Sequence, residues 1–271
     1  MPPRPLLIAF SGGRTSGLML RMLIDAYGGT LPDDVVPVFC NTGKEHNATL
    51  DFVEECSQRW GVRIRWVEWA EHDEPSMRWR EVTHATASRN GEPFRAVIAR
   101  KKFLPNPVTR FCTTEMKIHA THRFLRRGLG WDNGYAKAIG LRYDEPHRVA
   151  RARGREQAGG DPWTIEFPLF DARVTVADVV KFWREQPFDL RLPLAPDGTT
   201  PTGNCDLCFL KGAGKLRSII AAEPERADWW AQIETDIGTT FRNDRPSYAA
   251  MKSQASLAFT DEDNIDCNCT D

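Results

Sequence analysis

The sequence predicts an α/β fold, a mostly parallel sheet flanked by helices, and three observations carry that prediction. Residues 6–10 form an unbroken apolar run that stops at Ser11-Gly12-Gly13, and residues 35–40 form a second, stopped by Asn41-Thr42-Gly43. Continuous apolar runs ended by turn residues suit strands buried on both faces. Residues 16–27 place Leu18, Met19, Met22 and Leu23 at helical spacing before Gly28-Gly29, and residues 48–60 do the same with Leu50, Phe52, Val53 and Cys56 before Gly61. With a third strand over 62–67, this alternation is the signature of βαβ units.

The elements beyond that point follow in order. Residues 71–103 are polar and read as a partly helical excursion. Residues 113–127 read as a helix capped by Gly128, and residues 135–139 as a strand ending at Gly140. Residues 141–162 are rich in Arg and Gly and read as a mobile loop. A strand over 163–167 and a helix over 176–184, with Thr175 as N-cap, complete the core. Residues 193–203, rich in Pro, Gly and Thr, mark a boundary. The expected organisation is a nucleotide-binding core over 1–195 with a small, mainly helical, Cys-containing segment over 196–271 packed on it.

Composition narrows the class. The chain has 271 residues, 41% hydrophobic and 27% charged, enough apolar material for a sizeable core. A formal net charge of -1 argues neither for nor against a polyanionic partner, although residues 142–155 are locally basic. No apolar run reaches the length of a membrane span, and residues 1–10 lack the pattern of a signal peptide. The expectation is a cytoplasmic protein without a membrane partner. Its seven cysteines then point to metal binding or catalysis before disulfides.

The segment Ser11-Gly12-Gly13-Arg14-Thr15-Ser16 lies between a predicted strand and a predicted helix. Glycines let the backbone turn tightly, and a helix N-terminus offers unpaired N–H groups to phosphate or sulfate. The segment is neither a Walker A loop nor a dinucleotide fingerprint. It resembles the PP-loop, Ser-Gly-Gly-x-x-Ser, of N-type ATP pyrophosphatases and phosphoadenosine phosphosulfate (PAPS) reductases. Three further segments extend the resemblance in the expected order: Asn41-Thr42-Gly43-Lys44-Glu45; Thr109-Arg110-Phe111-Cys112 followed by Lys117; and residues 140–148, with Gly140, Arg142, Glu145 and Arg148. The resemblance spans residues 6 to 212 and implies a Rossmann-like, PP-loop/HUP-type fold. It implies that an adenine nucleotide (PAPS, its non-phosphorylated counterpart APS, or ATP) binds at Ser11, Gly12, Gly13, Arg14, Thr15, Ser16, Asn41, Thr42, Gly43, Arg110, Gly140, Arg142 and Arg148. One departure matters: many ATP-cleaving members carry Asp where this chain has Thr15, which favours a sulfonucleotide over Mg-ATP.

The cysteines leave several readings open. Cys205-Asp206-Leu207-Cys208 is a C-x-x-C pair able to reach one metal or cluster. By resemblance to APS reductases, Cys112, Cys205 and Cys208 supply three ligands of a [4Fe–4S] cluster, while Phe111 stands where the fourth is expected. As an alternative to the cluster, Cys205, Cys208, Cys267 and Cys269 could make a zinc site, or the late cysteines are free thiols. Cys40 and Cys56 read as core. PAPS reductases carry a nucleophilic Cys in a C-terminal Glu-Cys-Gly-Leu-His motif that is absent here; Cys267 or Cys269 stands in for it, or the acidic tail is inert.

Three functions follow from the resemblance. The first is a PAPS/APS reductase-like oxidoreductase, in which Lys117 and a tail cysteine (Cys267 or Cys269) act on the sulfonyl group and a thioredoxin-like partner releases sulfite. The second is an ATP-dependent sulfurtransferase that uses Mg and the cluster to thiolate a nucleic acid or small acceptor, with residues 142–155 on the nucleic acid. The third is a non-catalytic nucleotide- or redox-sensing module.

Overall fold

A computed structural model describes residues 4–159, 161–195, 200–203 and 205–255. Six strands form one sheet: β1 (Leu6–Ala9), β2 (Val35–Asn41), β3 (Arg65–Glu68), β4 (Arg80–Val82), β5 (Tyr135–Ala138) and β6 (Trp163–Glu166). Their spatial order is β4-β3-β2-β1-β5-β6, and all neighbours run parallel except β3 and β4. The chain leaves β1 for β2 on one side and later returns to place β5 on the other. The carboxyl ends of β1 and β5 therefore flank a switch point, where open α/β sheets bind ligands.

Alternation along the strands feeds two cores. Leu6, Ile8 and Phe10 point to one face and pack against α1 (Arg14–Ala26), α2 (Asn47–Trp60) and α8 (Val176–Arg184). Leu7, Val36, Val38, Val67 and Tyr135 point to the other face, where Ala120, Phe124 and Leu125 cover them. These last belong to a continuous helical rod. It opens as α4 (Phe111–Thr113), widens into a π segment (Thr114–His119), returns to α geometry in α5 (Ala120–Arg123) and widens again over Phe124–Gly128. Its length matches the sequence expectation, but propensity carries no signal for the wide turns, which in other proteins gather at functional sites.

Other differences have local causes. The stretch expected to be a mobile loop contains α6 (Pro146–Ala158). Pro146 sits in the first turn and Gly159 closes the helix at φ 73°, while only Val149 and Ala152 are buried. An apolar stripe that thin, beneath so much Arg, does not register as a periodic helix. The polar excursion contributes β4 and α3 (Glu92–Lys101), and α7 (Pro168–Asp171) precedes α8. Thr175 caps α8 through a capping box with Asp178, as its position suggested.

The last helices, α9 (Ala213–Ala222), α10 (Arg226–Ile237) and α11 (Tyr248–Ser253), build a third core with α3 and the start of the rod. Trp230, Phe241 and Tyr248 are fully buried there beside Phe94, Phe111 and Met116. Among the described residues no helix is long and apolar enough to cross a membrane.

Candidate functional site

The phosphate loop is built by one glycine and one hydroxyl. Gly12 has φ +75°, and a Cβ there would stand 2.7 Å from Thr49 Cγ2, so only glycine fits. Ser16 Oγ receives the Ser11 N–H at 3.2 Å and the Gly13 N–H at 3.3 Å, and donates to the Gly13 carbonyl at 3.0 Å. Gly13 caps α1, whose amino end opens onto the loop. Gly140 lies over Ser16, its Cβ direction 3.5 Å from the Ser16 Cα.

Beneath the loop a crevice of about 890 Å³, counting its open mouth, runs between the sheet and the helical rod. Ser11, Thr15, Ser16, Lys117 and Gly140 line it, so five of the sequence-derived residues converge here. Leu7, Ala9, Val38, Ile118 and Ile139 make its walls apolar, and Tyr135 and Trp163 stack to close its deep end. Such a crevice suits a flat base with its phosphates at the loop. Arg142 reaches the same mouth, with Nη1 donating to Thr15 Oγ1 at 3.3 Å.

Sequence reading missed three lining residues. Lys137, on β5, places its ammonium 5.3 Å from the centre of the Trp163 ring. Trp163 itself reads as an ordinary strand aromatic. Cys40 was expected in the core but is half-buried on the crevice wall, 2.9 Å from Thr121 Oγ1 and 3.6 Å from the Lys117 carbonyl. Burial pushes its thiol pKa up, against the hydrogen bond from Thr121 and the nearby charges of Lys117 and Lys137. Cys56 is fully buried, as expected of a core residue.

The side chain of Arg14, expected among the phosphate ligands, turns inward and pairs bidentately with Asp189, at 2.7 and 2.8 Å, and with the Leu190 carbonyl at 2.6 Å. The Trp183 indole donates to the Arg14 carbonyl at 2.8 Å. Arg14 therefore ties the first turn of α1 to the segment after α8. Arg148 is directed to Glu145, which also accepts the Arg142 N–H at 3.0 Å, so it braces the loop after β5. Arg110 occupies the N-cap of the rod, one residue before Phe111.

At the end of β2, Asn41 and Thr42 are fully buried. Asn41 donates to Glu68 Oε1 at 2.6 Å and to the Ser88 carbonyl at 2.8 Å, and accepts the Gly43 N–H at 3.1 Å. Glu68 is itself wholly enclosed, with Ser88 and Arg80 as further donors. Nothing in the spacing of the sequence announces this carboxylate. Lys44 and Glu45, readable as solvated turn residues, are buried too. Lys44 pairs with Asp206 at 3.2 Å, and Glu45 bridges to Cys205 through the backbone.

The C-x-x-C loop is thereby docked on the Asn41–Glu45 turn. Cys205 and Cys112 are half-buried against the third core, and Cys208 is buried. Lys211 donates to the carbonyls of Gly203 and Cys205 at 2.8 and 2.7 Å, and Tyr248 to that of Leu207 at 2.6 Å. Among the described residues no three of His, Cys, Asp and Glu form a group that could hold a metal ion. Cys112, Cys205 and Cys208 on their own therefore do not fit the expected cluster or a zinc ion. Cys267 and Cys269 lie outside the described residues.

The family profile of the phosphoadenosine phosphosulfate reductase domain matches residues 5–187. The chain belongs to the PAPS reductase family. Membership explains the parallel sheet and its loop at the switch point, and it assigns a nucleotide-binding role connected with sulfur. The chain is also similar to the uncharacterized nin region protein ORF290 of Escherichia phage lambda. The two are 27% identical over 215 residues, covering 78% of this chain and 67% of that protein.

Proposed function

We propose that this chain is a sulfonucleotide reductase that acts on PAPS or APS. The observation that carries the reading is the contact between Arg142 and Thr15. Where ATP-cleaving relatives carry an Asp, this site presents a hydroxyl topped by a guanidinium. The guanidinium also pairs with Asp144 at 2.9 Å, and with its remaining N–H groups it favours an oxyanion over a divalent cation at this position. The amino end of α1 and the loop N–H groups hold the phosphate, and Lys117 and Arg142 face the charge that develops on the leaving oxygens. The base occupies the apolar crevice toward Tyr135 and Trp163. A thiol of the chain then takes the sulfonyl group, and a thioredoxin-like dithiol regenerates that thiol.

Calorimetric titration with APS, PAPS and Mg-ATP tests the reading. The expected order places a sulfonucleotide at least about tenfold tighter than Mg-ATP, and Lys117→Ala or Arg142→Ala weakens it by about tenfold each. Tighter binding of Mg-ATP, with its cleavage to AMP and pyrophosphate, overturns the reductase in favour of an ATP-dependent sulfurtransferase acting on a nucleic acid or small acceptor. Tight nucleotide binding with neither turnover leaves the sensing module.

A further inference from the structure

We infer that Cys205 is the thiol that attacks the sulfonyl sulfur, that Thr42 and Glu45 carry away its proton, and that Cys208 resolves the product. The inference deepens the reductase reading and rests on it.

Three observations carry it. The first is a chain of hydrogen bonds. Thr42 Oγ1 lies 2.8 and 2.9 Å from the two oxygens of Glu45, a carboxylate that also accepts the Thr42 N–H at 2.9 Å. The hydroxyl proton is thus directed at Glu45, which leaves the oxygen as acceptor for the Cys205 thiol 3.4 Å away. Thiol, hydroxyl and carboxylate stand in the order of a nucleophile, a relay and a base. All three are fixed by the backbone: Glu45 and Cys205 bridge directly, and the Asp206 N–H donates to the Lys44 carbonyl at 2.8 Å.

The second is position. Ser11 and Cys40 line the same crevice, and Thr42 follows Cys40 by two residues, just past the end of β2. A sulfonyl group that projects from a phosphate at Ser11–Ser16 along the Cys40 wall is thereby directed toward the turn that carries Thr42, with Cys205 beside it. The third is the partner thiol. The Cys208 N–H donates to the Cys205 carbonyl at 3.4 Å, so the two residues close one turn, whose ends lie within the Cα separation a disulfide spans.

The chemistry balances within the chain. Cys205 Sγ bonds to the sulfonyl sulfur as the bond from that sulfur to the phosphate oxygen breaks, and the nucleotide leaves as its phosphate. The thiol proton passes to Thr42 while the Thr42 proton passes to Glu45. The Cys208 sulfur then attacks Cys205 Sγ, and its proton leaves on the departing sulfite as the disulfide forms. Two electrons from the dithiol take sulfur from the sulfate to the sulfite level. An external dithiol reduces the disulfide for the next turnover.

The test uses the full-length, reduced protein with Cys267→Ser and Cys269→Ser, so that adducts on the tail cannot be confused with those on the C-x-x-C loop. Nucleotide binding is followed in parallel by calorimetry. Mixing with whichever of APS or PAPS binds is expected to release one sulfite per chain and lower the mass by 2 Da. Adding Cys208→Ser is expected to trap an 80 Da adduct on Cys205. Independently of any nucleotide, iodoacetamide is expected to alkylate Cys205 at least about tenfold more slowly in Thr42→Val and Glu45→Gln. Thr42→Ser, which keeps the hydroxyl, is expected to restore the rate. Sulfite release that survives Cys205→Ser, or that vanishes with the tail cysteines, overturns the assignment. Alkylation indifferent to Thr42 and Glu45 overturns the relay. Failure of every nucleotide to bind, with alkylation still dependent on the relay, strikes the reductase reading alone.

Discussion

The two turns at the carboxyl ends of β1 and β2 are held in opposite ways. The backbone of the loop after β1 is shaped mainly from within: Gly12 supplies the conformation and Ser16 ties its own neighbours, with Arg14 beside them as the one side chain anchored to distant Asp189. The turn after β2 is held from a distance. Glu68 fixes Asn41 across 27 residues, and Asp206 pairs with Lys44 from the far end of the chain. Removing one group from the first turn should therefore disturb a local shape. Removing one from the second should strand several buried partners.

The largest effect is expected at Gly12. An alanine there must accept a positive φ and a Cβ 2.7 Å from Thr49, a combined cost of about 3 kcal/mol, with loss of nucleotide binding. Gly13→Ala is the control, because its nearest neighbour would be Ser11 Oγ at 3.7 Å. Urea unfolding together with titration of the nucleotide separates the two; equal losses in both variants would sink the claim that conformation defines this loop. Glu68→Ala comes next. It leaves the Asn41 amide and the Ser88 N–H buried without their acceptor, at about 2 kcal/mol, and should weaken nucleotide binding although Glu68 lies off the crevice. An unchanged affinity would show that the second turn does not serve the ligand.

A smaller, pH-dependent effect is expected on the rod that carries Lys117. Hydrogen bonding to His119, then to Lys101, with the charge of Arg123 nearby, holds the Glu115 carboxyl well below the usual carboxylate range, against its partial burial. A depressed folded-state pKa contributes stability that is present above the unfolded value, about 4.3, and is lost as pH falls toward the folded one. Glu115→Gln should therefore lower the urea midpoint at pH 7, and the gap to wild type should narrow steadily below pH 4; a constant gap argues against the linkage. The smallest effect is expected at Gly154, which sits inside α6 with open space where a Cβ would go. Alanine there should stabilise by about 0.5 kcal/mol and leave binding untouched, as a thermal melt with a titration would report.

This contrast also accounts for what was legible in the sequence. The apolar runs of β1 and β2, the glycines after them and the cap at Thr175 each encode structure within a few residues, and all lie where the sequence placed them. The PP-loop was readable for the same reason. The inward turn of the Arg14 side chain was not readable, because its partner Asp189 lies 175 residues away. Glu68, Lys137 and the burial of Lys44 and Glu45 were invisible because each depends on which strand lies next to which. The helix α6 was missed for a different reason: only two of its residues, Val149 and Ala152, are buried, and the rest is dominated by arginine and other polar or small side chains.

The edge of the sheet has a consequence of another kind. β4 is three residues long, runs against its neighbour and carries Arg80 and Glu81, while Arg65 of β3 pairs with Glu81 across the edge. An edge so short and so charged offers a second chain few N–H and C=O groups to pair with, and it sets ionic groups in the way. The flank beyond β3 thus resists templated, strand-by-strand growth into aggregates, leaving the buried parallel strands at the centre to hold the fold.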